Sequence, residues 1–132
     1  MQMNSKTNES VDVLLVDDDT LYLSYMSEIL ESEGFTVHTA MNGDEGLNYY
    51  SQSNPDLIIT DIVMPEKEGL EFIMDIRTKD KGIPIIAVTG SEIGLNGNYL
   101  KAAKKFGANV ILSKPLDPQL LIATMEQYLN NH

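Results

Sequence analysis

Asp17, Asp18, Asp61, Thr89 and Lys114 have one thing in common: each stands at the end of a short apolar run. Asp17 and Asp18 follow "VDVLLV", Asp61 closes "DLIITD", Thr89 follows "IPIIAV" and Lys114 comes just after "NVIL". Taken singly, each has an ordinary explanation. An acidic run is usually a solvated turn, a lone Thr is usually structural, and a Lys at a strand end is usually in water. Four separate segments delivering polar residues in the same way point instead to one shared site. Three carboxylates brought together repel each other and push at least one pKa upward. A hard divalent cation removes that conflict, and Mg²⁺ takes a few carboxylate oxygens while keeping waters and sharing its coordination with phosphate. Asp18 and Asp61 are the expected direct ligands, with Asp17 acting partly through water. Lys114 adds a positive charge and Thr89 a hydroxyl donor, both suited to the equatorial oxygens of a phosphoryl group in transfer. What remains is a carboxylate nucleophile able to form an aspartyl phosphate.

For these residues to meet, the runs that carry them must end on one edge. The apolar stretches "VDVLLV", "FTVHTA", "DLIIT", "IPIIAV" and "NVIL" alternate with helix-like segments at 20–33, 43–51, 68–77, 98–106 and 117–129. Five strands alternating with five helices predict a parallel sheet covered on both faces. Four of the runs are continuously apolar, as strands buried on both faces should be. "FTVHTA" alternates and is the expected edge strand. In an open sheet of this kind ligands bind outside the carboxyl ends of the strands, where the strand order reverses. If the order is 2-1-3-4-5, the reversal falls between strands one and three, flanked by Asp17, Asp18 and Asp61.

Local signals support the helices. Thr20 and Asp117 are placed to cap the first and last. Gly34 and Gly107 follow helix ends, where a left-handed residue is needed. Leu120, Leu121, Met125 and Tyr128 form an apolar stripe on the last helix. Asp12, Asp19, Asp56 and Asp75 read as solvated or capping. His38 is expected exposed on the edge strand and His132 is terminal, so neither is given a metal or catalytic role. The seven methionines read as core filling, with Met64 close to the site.

Composition narrows the partners. The chain has 132 residues, a hydrophobic fraction of 42%, a formal net charge of -11 and no cysteine. One domain with its own core is expected over 11–132, preceded by a disordered polar tail at 1–10. The acidic balance argues against direct nucleic-acid binding and against anionic membrane, both of which reward basic patches. Without cysteine there is neither a disulfide framework nor a thiolate metal site. No signal peptide and no run of membrane-spanning length is visible, so a cytoplasmic protein without membrane insertion is expected.

The segments "LLVDDD", "DLIITDIVMPEKEG", "IIAVTG" and "VILSKP" occur in this order and spacing over residues 11–130. In this the chain resembles the receiver domain of bacterial two-component response regulators, of the chemotaxis-receiver kind. The resemblance implies a flavodoxin-like (βα)5 three-layer α/β sandwich with a five-stranded parallel sheet in the order 2-1-3-4-5. It makes Asp61 the phosphoacceptor, Asp17 and Asp18 the acidic pair, Thr89 the switch hydroxyl and Lys114 the phosphate-binding lysine. It adds the backbone carbonyl of Val63 to the metal ligands, implies Mg²⁺ with Mn²⁺ as an alternative, and often goes with a cis Lys114–Pro115 bond. The implied donor is a sensor histidine kinase or a histidine phosphotransfer protein. The implied reader is a downstream protein target or an output domain. No DNA-binding module is seen up to residue 132, so the expectation is either output in trans or a chain that is one piece of a longer regulator. Such a module catalyses only its own phosphorylation and dephosphorylation.

Four positions depart from the family pattern. Ile111 stands where many receivers carry Tyr or Phe, and Leu116 replaces a frequent aromatic. Val63 replaces a polar residue that helps water attack the acyl phosphate, which implies a longer-lived phosphoform. The link containing "GSEIGLNGNY" is about three residues longer than is usual in the family, and its Gly and Asn content predicts a short or displaced fourth helix. A phosphohydrolase of the haloacid dehalogenase class is the competing enzyme reading. It needs Asp-x-Asp followed by Thr or Val two positions on, whereas Asp19 is followed by Thr20 and Leu21, and it needs a later acidic pair, whereas only Asp117 and Glu126, on the last helix, follow Lys114. A receiver used only for docking, without phosphorylation, is the third reading, and the intact set of five residues counts against it.

Overall fold

A computed structural model describes residues 11–62, 69–90 and 97–130. The expected tail at 1–10, the Val63 carbonyl, Met64, the Glu68 start of the third helix, the loop at 91–96 and His132 lie outside the described residues.

The elements alternate as the sequence predicts: β1 (Asp12–Val16), α1 (Thr20–Ser32), β2 (Thr36–Ala40), α2 (Gly43–Ser53), β3 (Leu57–Asp61), α3 (Gly69–Lys79), β4 (Ile85–Thr89), α4 (Gly97–Phe106), β5 (Val110–Ser113) and α5 (Pro118–Asn130). The strands form one sheet in the order β2-β1-β3-β4-β5. Every adjacent pair is parallel. This is the flavodoxin-like arrangement expected from the sequence.

Side chains alternate across each strand, so neighbouring residues serve opposite layers. Leu14, Val16 and Ile58 pack with Tyr50 of α2, Phe72, Ile73 and Ile76 of α3 and Ala103 of α4. Val13, Leu15 and Ile59 face the other way, onto Leu23, Met26 and Leu30 of α1 and Leu121 and Met125 of α5. The result is three layers with two cores separated by the sheet.

The helix ends follow backbone hydrogen-bond needs. Asp19, not Thr20, is the N-cap of α1: its Oδ1 accepts from the N–H groups of Leu21 at 3.1 Å and Tyr22 at 3.2 Å. Thr20 is the first helical residue, and a carboxylate also suits the positive end of the helix dipole. Asp117 caps α5 as expected, accepting from the Gln119 N–H at 3.0 Å. Gly34 and Gly107 have φ of 99° and 129°, the left-handed conformations their positions require. The fourth helix, expected short or displaced, runs for ten residues from Gly97.

Four expectations of burial need correcting. β5 is a second edge strand, with Val110, Ile111 and Leu112 only partly buried, because a strand paired on one side alone has less to cover it. Leu120 is 51% exposed: the buried stripe of α5 runs through Leu121, Thr124 and Met125, and Leu120 turns outward. His38 is half-buried, its ring against Tyr49 of α2 at 4.4 Å between centroids. Met26 and Met125 fill the core, whereas Met41 and Met74 are 43% and 42% exposed.

Candidate functional site at the carboxyl edge of the sheet

The ladder continues past the strand ends and carries the polar residues with it. Asp17 donates its N–H to the Ala40 carbonyl at 3.0 Å, Ile62 to Val88 at 2.9 Å and Lys114 to Thr89 at 2.8 Å. Asp61 lies opposite Val88 in the β3–β4 register, which puts Thr89 one residue beyond that rung. Asp17, Asp61, Thr89 and Lys114, spread over nearly a hundred positions, are thus placed by the backbone ladder at one edge, beside the β1–β3 reversal, and Asp18 follows Asp17 directly.

One oxygen from each of Asp17, Asp18 and Asp61 lies within 4.8 Å of the other two. Burial differs sharply among them. Asp17 and Asp61 are buried and Asp18 is exposed. Asp17 is engaged on both oxygens, accepting from the Asp19 N–H at 2.9 Å and from Lys114 Nζ at 2.8 Å. The same ammonium stands 3.6 Å from Asp61 Oδ2. Burial alone would lower the Lys114 pKa, but the hydrogen bond to Asp17 and the charges of Asp61 and Asp17 raise it, so the group stays cationic.

Thr89 is buried at the end of β4, and its hydroxyl donates to the Gly90 carbonyl over a long 3.3 Å. The Lys114–Pro115 bond is cis. The sequence-derived residues Asp17, Asp18, Asp61 and Lys114 therefore come together in space, and Thr89 reaches the same edge.

Two further residues shape the site without having been singled out in the sequence. Gly69 packs directly behind Asp61: an added Cβ would fall against the Asp61 carbonyl oxygen and 2.7 Å from Ile62 Cα. Tyr22 places its ring under Lys114, with Nζ 4.5 Å from the ring centroid. Burial pushes its phenol up to about 12, an effect that Lys114 opposes and Asp17, Asp61 and Tyr25 reinforce. The signal available for Tyr22 was an aromatic residue in the first turn after "DDD", which reads equally well as core.

An open cleft of ≈ 450 Å³ lies elsewhere, lined by Leu100, Lys101, Lys104, Val110 and Ile111 on α4 and β5. None of the five site residues lines it, so it is not where the carboxylates act.

The fold is a doubly wound α/β domain that gathers three aspartates and a lysine at the carboxyl edge of its sheet. The family model of the response regulator receiver domain matches residues 13–126, and the chain belongs to that family. The chain is similar to the chemotaxis protein CheY of Halobacterium salinarum, with 40% identity over 103 residues covering 78% of this chain and 83% of that one. It is also similar to an uncharacterized 14.6 kDa protein of Leptolyngbya boryana, 36% identical over 125 residues and covering 93% of each. The crystal structure of a CheY-like receiver domain protein from Methanospirillum hungatei superposes with a TM-score of 0.85 at 30% identity, covering 91% of this chain and 94% of that one. The chain is accordingly a signalling receiver of a two-component system, and that decides against the phosphohydrolase reading. Among the described residues, no helix is long and apolar enough to cross a membrane.

Proposed function

We propose that this receiver takes a phosphoryl group onto Asp61 from the phosphohistidine of a sensor histidine kinase or histidine phosphotransfer protein in the cytoplasm. The observation that carries this reading is the Lys114 ammonium placed between Asp17 at 2.8 Å and Asp61 at 3.6 Å. Three carboxylates against one ammonium leave a surplus of negative charge among hard oxygen donors, a donor set that fits Mg²⁺, with Mn²⁺ as a substitute. Asp17, Asp18 and Asp61 would hold the ion, with the Val63 carbonyl added from the family pattern. Bound Mg²⁺ would neutralise carboxylate and phosphoryl oxygens alike and so permit two anions to approach.

An Asp61 carboxylate oxygen attacks phosphorus. The new O–P bond forms as the N–P bond of the phosphohistidine breaks, and the imidazole leaves with the electron pair and takes up a proton. Lys114 follows the charge from the carboxylate to the phosphoryl oxygens, and the Thr89 hydroxyl exchanges its long bond to Gly90 for a stronger, charge-assisted one. That exchange biases a two-state equilibrium that a downstream protein or an output domain reads at the surface.

Purified protein incubated with Mg²⁺ and acetyl phosphate is expected to gain one phosphoryl group by intact mass, and Asp61→Asn none. An adduct that survives in Asp61→Asn sinks the assignment.

A further inference from the structure

The Lys114 ammonium is boxed on three sides. Asp17 Oδ2 accepts from it at 2.8 Å, Asp61 Oδ2 lies 3.6 Å away, and the Tyr22 ring covers another side at 4.5 Å from Nζ to the centroid. The Lys114 side chain is 25% exposed, so it is partly withdrawn from water. In such a place an aromatic face attracts a cation appreciably.

The ring itself is held firmly. Tyr22 lies in the first turn of α1, where its N–H is bonded to the Asp19 cap. Its ring packs against the core formed by α1 and α5. Its hydroxyl is buried with no hydrogen-bond partner among the described residues, so the phenol oxygen gains nothing there that explains the ring's position.

We propose that Tyr22 is a positioning residue for phosphoryl transfer, its ring forming the floor that holds the Lys114 ammonium at Asp61. This rests on the reading of Asp61 as phosphoacceptor. A cation–π contact tolerates displacement better than a directional hydrogen bond does. The ammonium can therefore slide from the Asp61 carboxylate to a phosphoryl oxygen while staying over the same ring. A Leu at position 22 would fill the core but leave the ammonium without that floor.

The test compares wild type, Tyr22→Leu, Tyr22→Phe and Asp61→Asn in two measurements. The first is the initial rate of phosphorylation by acetyl phosphate with Mg²⁺, read by intact mass. The second is the NMR shift of the Lys114 ε-methylene protons in the unphosphorylated, Mg²⁺-free protein, where ring current from Tyr22 should move them upfield. Tyr22→Leu is expected to slow phosphorylation about threefold to tenfold, the scale of a partly desolvated cation–π contact, and to abolish the upfield shift. Tyr22→Phe, which keeps the ring and removes the orphaned hydroxyl, should restore both. Wild-type rate in Tyr22→Leu, or a Phe variant as slow as the Leu variant, overturns the proposal. So does a Lys114 shift that is unmoved in Tyr22→Leu. If wild type and Asp61→Asn behave alike, the phosphoacceptor reading fails, and the ring-current measurement still decides whether Tyr22 seats the lysine.

Discussion

The three aspartates of "DDDT" look equivalent in the sequence, yet their surroundings give them different work. Asp17 is buried and doubly bonded, Asp19 caps α1, and Asp18 is exposed beside two other carboxylates. Without a metal, Asp18 chiefly adds repulsion. Asp18→Asn is therefore expected to stabilise the metal-free protein by about 1 kcal/mol, the size of one like-charge contact at this range in a water-like dielectric. The same change should cut the gain in thermal midpoint expected from Mg²⁺ on the proposed reading, because ligand-linked stabilisation scales with affinity. Thermal melts in chelator and in millimolar Mg²⁺ check both. A midpoint in chelator below that of wild type would count against a repulsive cluster.

At the scale of elements, Gly69 joins the start of α3 to the end of β3. A side chain there meets the Asp61 backbone, which has no room to give. Gly69→Ala is expected to cost at least about 2–3 kcal/mol, at or above the usual penalty of overpacking, and to slow phosphorylation by displacing Asp61. Urea unfolding and intact mass would measure the two effects. At the opposite end of α3, burial alone would raise the Asp80 carboxyl. The Gly82 and Ile83 N–H groups, the Tyr50 hydroxyl and the Arg77 charge outweigh it and hold the pKa low. A depressed carboxyl stabilises the fold above its ordinary value of 3.8 and loses that contribution as pH falls below it. Wild type should thus exceed Asp80→Asn in urea midpoint at pH 6, with the gap closing toward pH 2.

Much of this was legible in the sequence, because strand ends and apolar runs follow from local chemistry. Edge strand β2 and the left-handed glycines follow from patterns of a few residues, whereas the strand order, and with it the meeting of Asp17, Asp18, Asp61 and Lys114, was conditional until the resemblance to receiver domains implied it. What was not legible depended on neighbours distant in the chain. Whether α5 turns Leu120 or Leu121 inward depends on where the sheet lies. β5 reads as buried until it proves to be the last strand. The Tyr22 ring is core by composition and part of the site only by virtue of Lys114, 92 residues later.

On the scale of the whole molecule, the sheet is a wall between two cores that share no buried residue. Ile76→Val on the α2–α4 side and Leu121→Ala on the α1–α5 side should cost about 0.5–1.5 and 2–5 kcal/mol respectively. The double variant should show their sum to within about 0.5 kcal/mol, since the two sites share no partners. Chemical denaturation of the four proteins tests it, and a coupling well above that margin would reveal a sheet that transmits packing strain. Independence of this kind has a meaning for inheritance. Each side can accumulate its own substitutions, and so acquire its own binding partner, without asking leave of the other. Only the rim where Asp17, Asp61 and Lys114 meet answers to both.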